Sequence, residues 1–139
     1  MAALEKAVFG DPWSRRTFAE LLGLPHVRAF VLPGRAGGLD GYAVCSAVAD
    51  EGEILNLAVA QERRRKGLGR TLLECCLGWL VERGVATVYL EVRRSNAAAI
   101  AMYEGLGFAV SGVRANYYRK PTEDAVTMAR DVASAPAGK

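Results

Sequence analysis

Histidine and cysteine are scarce in this chain, which has one histidine and three cysteines among 139 residues. The thiols of Cys45, Cys75 and Cys76 form no C-x-x-C pair, and their odd number does not suit a disulfide framework or a zinc site. The single imidazole, His26, begins an apolar run, and no Ser-His or Cys-His nucleophile motif surrounds it. We therefore expect buried, reduced cysteines, a structural histidine and no metal site.

A strong excess of charge and long hydrophobic runs are also missing. The formal net charge is +3, which is small for a nucleic-acid-binding protein. No apolar run reaches the ~18 residues of a membrane-spanning helix, and the first residues lack the basic start and apolar stretch of a secretory signal. We expect a cytoplasmic protein that binds neither nucleic acid nor membranes. The sequence leaves the oligomeric state open, with a monomer favoured.

The composition that remains is typical of one globular domain. Just over half of the residues are hydrophobic, at 51%, and 24% are charged. A chain of 139 residues is too short for two ordinary domains. We expect a single domain over residues 1–132 and a disordered tail over residues 133–139.

Hydrophobic periodicity predicts an α/β (α+β) fold with a mixed sheet. An antiparallel meander of three strands is followed by a strand-helix-strand unit, whose crossover requires a parallel pair of residues 54–59 beside residues 87–92. The predicted elements are helices at Leu4–Phe9 and from the cap Ser14 to Leu22, strands at Val27–Leu32, Gly41–Ala49 and Ile54–Val59, a helix at Leu68–Arg83, a strand at Thr87–Val92, a helix at Asn96–Leu106, and strands at Phe108–Arg114 and Ala125–Arg130.

A basic, glycine-containing segment, Gln61–Arg70, connects the third strand to the next helix. Gly67 and Gly69 let the backbone approach a ligand closely, and the N–H groups at a helix start favour phosphate. Neither a G-K-[ST] nor a G-x-G-x-x-G pattern is present, so the segment is neither a Walker loop nor a dinucleotide-binding fingerprint. Alternatively, the glycines only turn the chain, or the basic residues form a nucleic-acid patch.

A second segment, Asn96–Phe108, follows a strand that ends in Tyr-Leu-Glu-Val. Together the two segments resemble the GNAT acetyltransferase superfamily. The first is similar to its acyl-CoA pyrophosphate loop (R/Q-x-x-G-x-G/A), and the second to its N-x-x-A-x-x-x-Y-x-x-x-G-F stretch. With Pro12-Trp13-Ser14, Leu90–Asn96 and Asn116-Tyr117-Tyr118, the chain resembles the bacterial ribosomal protein alanine N-acetyltransferases over roughly Asp11 to Arg130. In that family a strand usually precedes the first helix, so we expect a missing edge strand or a shortened start.

The resemblance implies direct acetyl transfer from acetyl-CoA, as co-substrate, to an amine without a covalent enzyme intermediate. The third strand would splay from the fourth, leaving backbone groups for the pantetheine arm and a backbone N–H near Val59 as the oxyanion donor. Asn96 would contact the CoA from the far side. Alternatively, Asn96 is only a helix cap, or Ser95 takes that role. The implied cofactor-binding residues are Leu57, Ala58, Val59, Arg65, Lys66, Gly67, Leu68, Gly69, Arg70 and Asn96.

Three side chains carry the chemistry that the resemblance implies. Glu91 would be the general base, Tyr103 would protonate or hydrogen-bond the leaving thiolate, and Tyr117 would bind the peptide backbone. A phenol (pKa ~10) is a weaker acid than a simple thiol (~8.5), so hydrogen bonding could be most of the role of Tyr103. Alternatively, Glu91 is an ordinary strand carboxylate and Tyr103 is a core aromatic. The alternative for Tyr117 is that it and Tyr118 only cover the end of the sheet.

The predicted substrate is the N-terminal amine, with alanine first, of a protein that is expected to belong to the small ribosomal subunit. An α-amine (pKa ~8) is about a tenth neutral at pH 7, whereas lysine (~10.4) is neutral less than about a thousandth of the time. Glu104, Glu123 and Asp124 could hold a basic second or third residue. The alternatives are acetylation of a small-molecule amine, a non-catalytic acetyl-CoA-binding regulatory domain and, least favoured, nucleic-acid binding.

Overall fold

The computed structural model of the chain describes residues 15–34, 39–60, 67–119 and 121–132, with side chains from residue 19 onward. The predicted helix at Leu4–Phe9, the cap Ser14, any strand ahead of them and the tail at 133–139 lie outside these residues. Within them the elements are helices α1 (Arg15–Leu22), α2 (Leu68–Glu82) and α3 (Ala97–Gly105), and strands β1 (Val27–Pro33), β2 (Leu39–Val48), β3 (Glu51–Val59), β4 (Thr87–Arg93), β5 (Ala109–Tyr118) and β6 (Glu123–Asp131).

The six strands form one mixed sheet in the order β1-β2-β3-β4-β6-β5. β3 and β4 are parallel, and all other neighbours are antiparallel. The predicted meander, crossover and parallel pair are therefore confirmed. Within the described residues, no helix is long and apolar enough to cross a membrane.

Two strands extend beyond their predicted limits because the hairpins turn at unexpected residues. Val48 already pairs with Glu51, so the chain turns at Ala49, which adopts a left-handed φ of 54°, and β3 begins before Ile54. β5 does not end at Arg114 but continues to Tyr118, which pairs with Glu123. The Asn116–Tyr118 segment is therefore part of the sheet.

The main core lies between one face of the sheet and helices α2 and α3. In α2 the buried residues recur at helical spacing and make one apolar face. Gly84, with a φ of 84°, follows the helix end as predicted. On the opposite face, Leu21 of α1 packs against a small separate cluster. The main core contains Leu72, Leu73, Cys76, Leu77, Leu80, Val88, Leu90, Val92, Tyr103, Leu106, Phe108 and Met128.

The cysteine prediction is correct for two of the three thiols. All three are free; Cys45 and Cys76 are buried, and a hydrogen bond between them together with burial raises the pKa of Cys76. Cys75 is exposed, contrary to the prediction. Its neighbour Cys76 occupies the core face, and consecutive side chains on a helix point in different directions.

β3 and β4 diverge halfway along their length. Their parallel register runs from Glu51 opposite Thr87 to Ile54 opposite Leu90. The pairing therefore ends at Ile54, the residue at which the predicted parallel segment of β3 begins. The pairing of β2 with β3 skips Leu55 at this point, which makes a β-bulge, and a bulge bends its strand. The last five residues of β3 therefore lie beyond the region that pairs with β4, although β3 still pairs with β2 there. This is the arrangement that a splayed pair requires.

Candidate active site

The fork where β3 leaves β4 has a carboxylate beside it. Glu91 directly follows Leu90, the last residue of β4 that pairs with β3. Val88, Leu90 and Val92 are buried in the main core, so strand alternation places Glu91 on the opposite face with Tyr89. The predicted position of Glu91 on that face is correct. Its side chain is only 16% exposed.

The Glu91 carboxylate is surrounded by polar groups from three other positions. Arg114 of β5 donates from Nη1 to Glu91 Oε2 at 2.7 Å, and this hydrogen bond raises the pKa of the guanidinium. Burial, the Glu91 charge and a hydrogen bond to Glu91 raise the pKa of the Tyr117 phenol. Partial burial and the Glu91 charge raise the pKa of Glu53, although Arg114 partly offsets them. A cation, a second acid and a phenol thus share the space around one carboxylate.

A groove on this face opens beside Glu91. It has a volume of about 290 Å³ and runs along β3 and β4 toward the hairpin that joins β2 to β3. It is lined by Ser46, Val48, Glu51, Gly52, Glu53, Tyr89, Leu90, Glu91, Arg114 and Thr127.

Tyr103 lies on α3 within the main core. It is 7% exposed, and its ring meets that of Phe108 edge-on with 6.0 Å between centroids. Burial, with smaller contributions from Tyr118 and Cys76, raises the pKa of the phenol above its ordinary value. The alternative that Tyr103 is a core aromatic is therefore correct as a description of its packing. A raised pKa makes full proton transfer to a thiolate still less favourable.

Two tyrosines sit on an irregular part of β5. Between Arg114 and Tyr118 the strand carries more residues than β6 opposite, and Asn116 adopts a φ of 54°, which asparagine tolerates. The Asn116 N–H donates to Asp124 Oδ1 at 2.9 Å. Tyr117 and Tyr118 meet edge-on at 5.1 Å between centroids, and the Arg114 guanidinium lies 4.2 Å from the Tyr117 ring. Tyr117 is thereby held beside Glu91.

The predicted cofactor residues of β3 lie on the splayed part of the strand. Ala58 is buried in the small cluster beneath α1, while Leu57 and Val59 pack against the main core. The Leu57 N–H donates to the Asn56 side-chain oxygen at 3.0 Å. This amide must exchange that partner before it can bind a ligand.

The described part of the glycine loop suits a phosphate. Gly67 immediately precedes α2 with a φ of 73° and no side-chain cap, and a Cβ there would meet nothing within 4 Å. A Cβ on Gly69 would lie 3.2 Å from Met102 Sδ, so that glycine also brings α2 close to α3. Leu68 begins α2, and Arg70 pairs with Glu74 at 3.5 Å. Arg65 and Lys66 lie outside the described residues.

Asn96 caps α3. Its side-chain oxygen accepts from the Ala99 N–H at 3.1 Å, so the predicted capping role is confirmed and the CoA contact stays a prediction. The cap is therefore not Ser95, whose backbone N–H donates to Glu123 Oε2 at 2.6 Å.

Two acids predicted to hold a basic substrate residue have other partners. Glu123 accepts from Arg93 and the Ser95 N–H, and Asp124 accepts from Arg94 and the Asn116 N–H. The acids that line the groove are Glu51 and Glu53 instead.

Sequence reasoning missed the site contributions of Glu53 and Arg114. Glu53 reaches the site because it pairs with Tyr89 across the parallel seam, and Arg114 because it pairs with Ala125 on β6. Only the strand register brings them to Glu91, and the sequence pattern does not fix that register. Within the described residues, no group of three or more His, Cys, Asp and Glu side chains could hold a metal ion.

Known proteins that are similar to this chain include several acetyltransferases. The family model described as "Acetyltransferase (GNAT) family" matches residues 1–108. The [ribosomal protein bS18]-alanine N-acetyltransferase of Escherichia coli K12 is 45% identical over 130 residues, covering 91% of this chain and 85% of that protein. A crystal structure of the Escherichia coli ribosomal-protein-S18-alanine N-acetyltransferase superposes with a TM-score of 0.84 and 42% identity, over 94% of this chain and 84% of that chain. Nourseothricin acetyltransferase superposes with a TM-score of 0.71 and 33% identity, over 77% and 66%.

Proposed function

This chain belongs to the acetyltransferase (GNAT) family, and from that premise we propose that it acetylates the N-terminal amine of a protein that begins with alanine. The proposed substrate is a protein of the small ribosomal subunit, in line with the relative that acts on ribosomal protein bS18. The observation that carries the proposal is the Glu91 carboxylate at the fork of β3 and β4, bonded to Arg114, whose guanidinium lies over the Tyr117 ring. A base and a peptide-binding phenol thus stand together where the acetyl group would lie.

On the donor side, we propose that acetyl-CoA lies with its pantetheine arm along the splayed end of β3. The bound co-substrate supplies an activated acetyl thioester. Leu57, Ala58 and Val59 provide backbone groups along this edge, with an N–H near Val59 as oxyanion donor. The pyrophosphate would meet Gly67, Leu68 and Gly69 at the start of α2, with Arg65, Lys66 and Arg70 adding charge. Asn96 would approach from the start of α3.

On the acceptor side, Glu91 receives the proton of the substrate ammonium. Arg114 contacts Glu91 in the free protein but is 58% exposed. Solvent screens the exposed guanidinium, so an incoming ammonium can replace Arg114 at Glu91. The amine then loses its proton to Glu91, directly or through one water, and attacks the thioester carbonyl.

Tyr103 stabilises the departing sulfur. The phenol is buried with a raised pKa, so it donates a hydrogen bond to the thiolate and keeps most of its proton. Its location on α3, which also carries the Asn96 cap, would bring the phenol to the sulfur end of the pantetheine. Tyr117 would hydrogen-bond the peptide backbone near the first residue.

A second candidate is acetylation of a small-molecule amine, which the likeness to nourseothricin acetyltransferase favours. A small amine would also reach Glu91, but it would leave the groove beside Glu53 and Tyr89 without an occupant.

A peptide panel tests the proposal. The protein is incubated with acetyl-CoA and peptides that vary in their first two residues, together with representative aminoglycosides and polyamines, and products are read by mass spectrometry. We expect Ala-initiated peptides to be acetylated fastest, at the α-amine. Acetylation of the small amines but of no peptide would contradict the proposal, and Glu91→Gln controls for uncatalysed acetylation.

A further inference from the structure

Arg93 joins β4 to the hairpin between β5 and β6. Its Nη1 donates to the Pro121 carbonyl at 3.0 Å and to Glu123 Oε1 at 3.3 Å, and its Nη2 donates to the Arg119 carbonyl at 3.0 Å. The guanidinium also lies 4.5 Å from the centre of the Tyr118 ring. One planar side chain thus holds both sides of the hairpin turn and the aromatic residue that precedes it.

The environment of Arg93 differs from that of an ordinary surface arginine. Both members of its ion pair with Glu123 are only 19% exposed. Partial burial strengthens charge-assisted hydrogen bonds, and the rigid fork of a guanidinium can donate to several fixed acceptors at once. A lysine offers a point charge and cannot reproduce this geometry. The neighbouring Arg94 makes an ion pair with Asp124 but is 63% exposed, so the two arginines differ in burial more than in chemistry.

The acid that pairs with Arg93 also reaches the helix on the cofactor side. Glu123 accepts from Arg93 through Oε1 and from the Ser95 N–H through Oε2. Ser95 directly precedes Asn96, the cap of α3. The hairpin is therefore fixed to the start of the helix that carries Tyr103.

The hairpin carries the groups that face Glu91. Tyr118 packs edge-on against Tyr117, and the Tyr117 ring lies 4.2 Å from the Arg114 guanidinium that donates to Glu91. Arg93 lies two residues after Glu91 on the same strand and so on the same face. A contact chain therefore runs from Arg93 through Tyr118 to Tyr117 and back to β4 at Glu91.

We propose that Arg93 is a positioning residue for the acceptor substrate: it fixes the β5–β6 hairpin so that Tyr117 stands at a set distance from Glu91. Arg93 itself touches no reacting atom. Its removal frees the turn at Arg119 and Pro121 and lets the tyrosine pair shift, while Glu123 keeps its bond to Ser95 and with it the start of α3. The inference rests on the proposed peptide substrate.

The test compares Arg93→Met with Arg94→Met and Arg93→Lys, using an Ala-initiated peptide and acetyl-CoA. We expect Arg93→Met to raise the peptide KM about tenfold or more, since small misplacements of positioning groups are costly, while acetyl-CoA KM stays within about twofold. Arg94→Met should leave both constants within about twofold of the parent values, because an exposed ion pair contributes little. Arg93→Lys should fall between the two methionine variants.

Amide hydrogen exchange over residues 115–123 gives a second readout that does not depend on turnover. Exchange should accelerate in Arg93→Met and stay unchanged in Arg94→Met. Equal effects of the two methionine variants, or an unchanged peptide KM in Arg93→Met, would overturn the inference. If Arg93→Met does not fold, Arg93→Lys decides by the same criteria. If the parent protein acetylates no peptide, the proposed function fails by itself, and Arg93 is judged by hydrogen exchange and by the KM of the amine that is accepted.

Discussion

At the scale of single residues, two cations compete for the Glu91 carboxylate. Arg114 holds it at 2.7 Å in the free protein, and the substrate ammonium replaces Arg114 in the proposed reaction. Glu53 lies beside them, and partial burial together with the Glu91 charge raises its pKa. In the proposed reaction this arrangement attracts a cationic amine and then removes its proton.

Replacing Glu91 with glutamine should lower kcat about 10²-fold or more at pH 7, the usual range for loss of a general base. The side chain keeps its size but cannot accept the proton. The loss should shrink as the pH rises past the α-amine pKa of ~8, because the substrate then arrives neutral. Steady-state rates between pH 6 and 10 measure this, with Glu82→Gln at the exposed end of α2 as the control. A Glu91→Gln rate near that of the parent at pH 7 would assign the proton transfer to another group or to water.

At the scale of elements, most of the fold could be predicted from the sequence, whereas the groups that surround Glu91 could not. Periodicity located α2, and the crossover rule required the parallel pair. The Leu55 bulge and the irregular pairing after Arg114 were not predictable, because they depend on strand register. Glu53 and Arg114 come to Glu91 only through that register. Glu91 itself was identified because the resemblance pointed to it, since alternation alone permits an ordinary exposed carboxylate.

We expect the start of α2 to bind the cofactor phosphates, and a substitution at Gly67 tests this expectation. Replacing Gly67 with valine forces a β-branched residue into a φ of 73°, which costs ~1–2 kcal/mol, and fills the open space above the helix start. Acetyl-CoA KM should therefore rise about tenfold or more, equivalent to about 1.4 kcal/mol.

Gly78→Val is the matched control for the Gly67 variant. Gly78 lies on the same helix, and a Cβ there also meets nothing within 4 Å, but its backbone has no positive φ. Calorimetric titration with acetyl-CoA would separate affinity from rate. A folded Gly67→Val variant with unchanged acetyl-CoA affinity would move the pyrophosphate to another site.

At the scale of the whole molecule, the two faces of the sheet carry different groups, and these groups meet at the fork of β3 and β4. Helices α2 and α3 pack on one face and carry the proposed cofactor contacts, while the opposite face carries Glu91, the groove and the tyrosine pair. The donor and acceptor can therefore approach from different sides and meet where β3 and β4 part.

The most direct test of this account is a competition between two peptides that differ only at the N-terminus and at one internal position. One begins with a free alanine and contains no lysine; the other has a blocked N-terminus and one internal lysine. At pH 7 about a tenth of the α-amine is neutral, against less than about a thousandth of the lysine, and a small first side chain fits the fork. With both peptides, acetyl-CoA and enzyme in one reaction, mass spectrometry should find the free-alanine peptide acetylated first and at its α-amine. Faster acetylation of the lysine peptide would contradict the α-amine assignment.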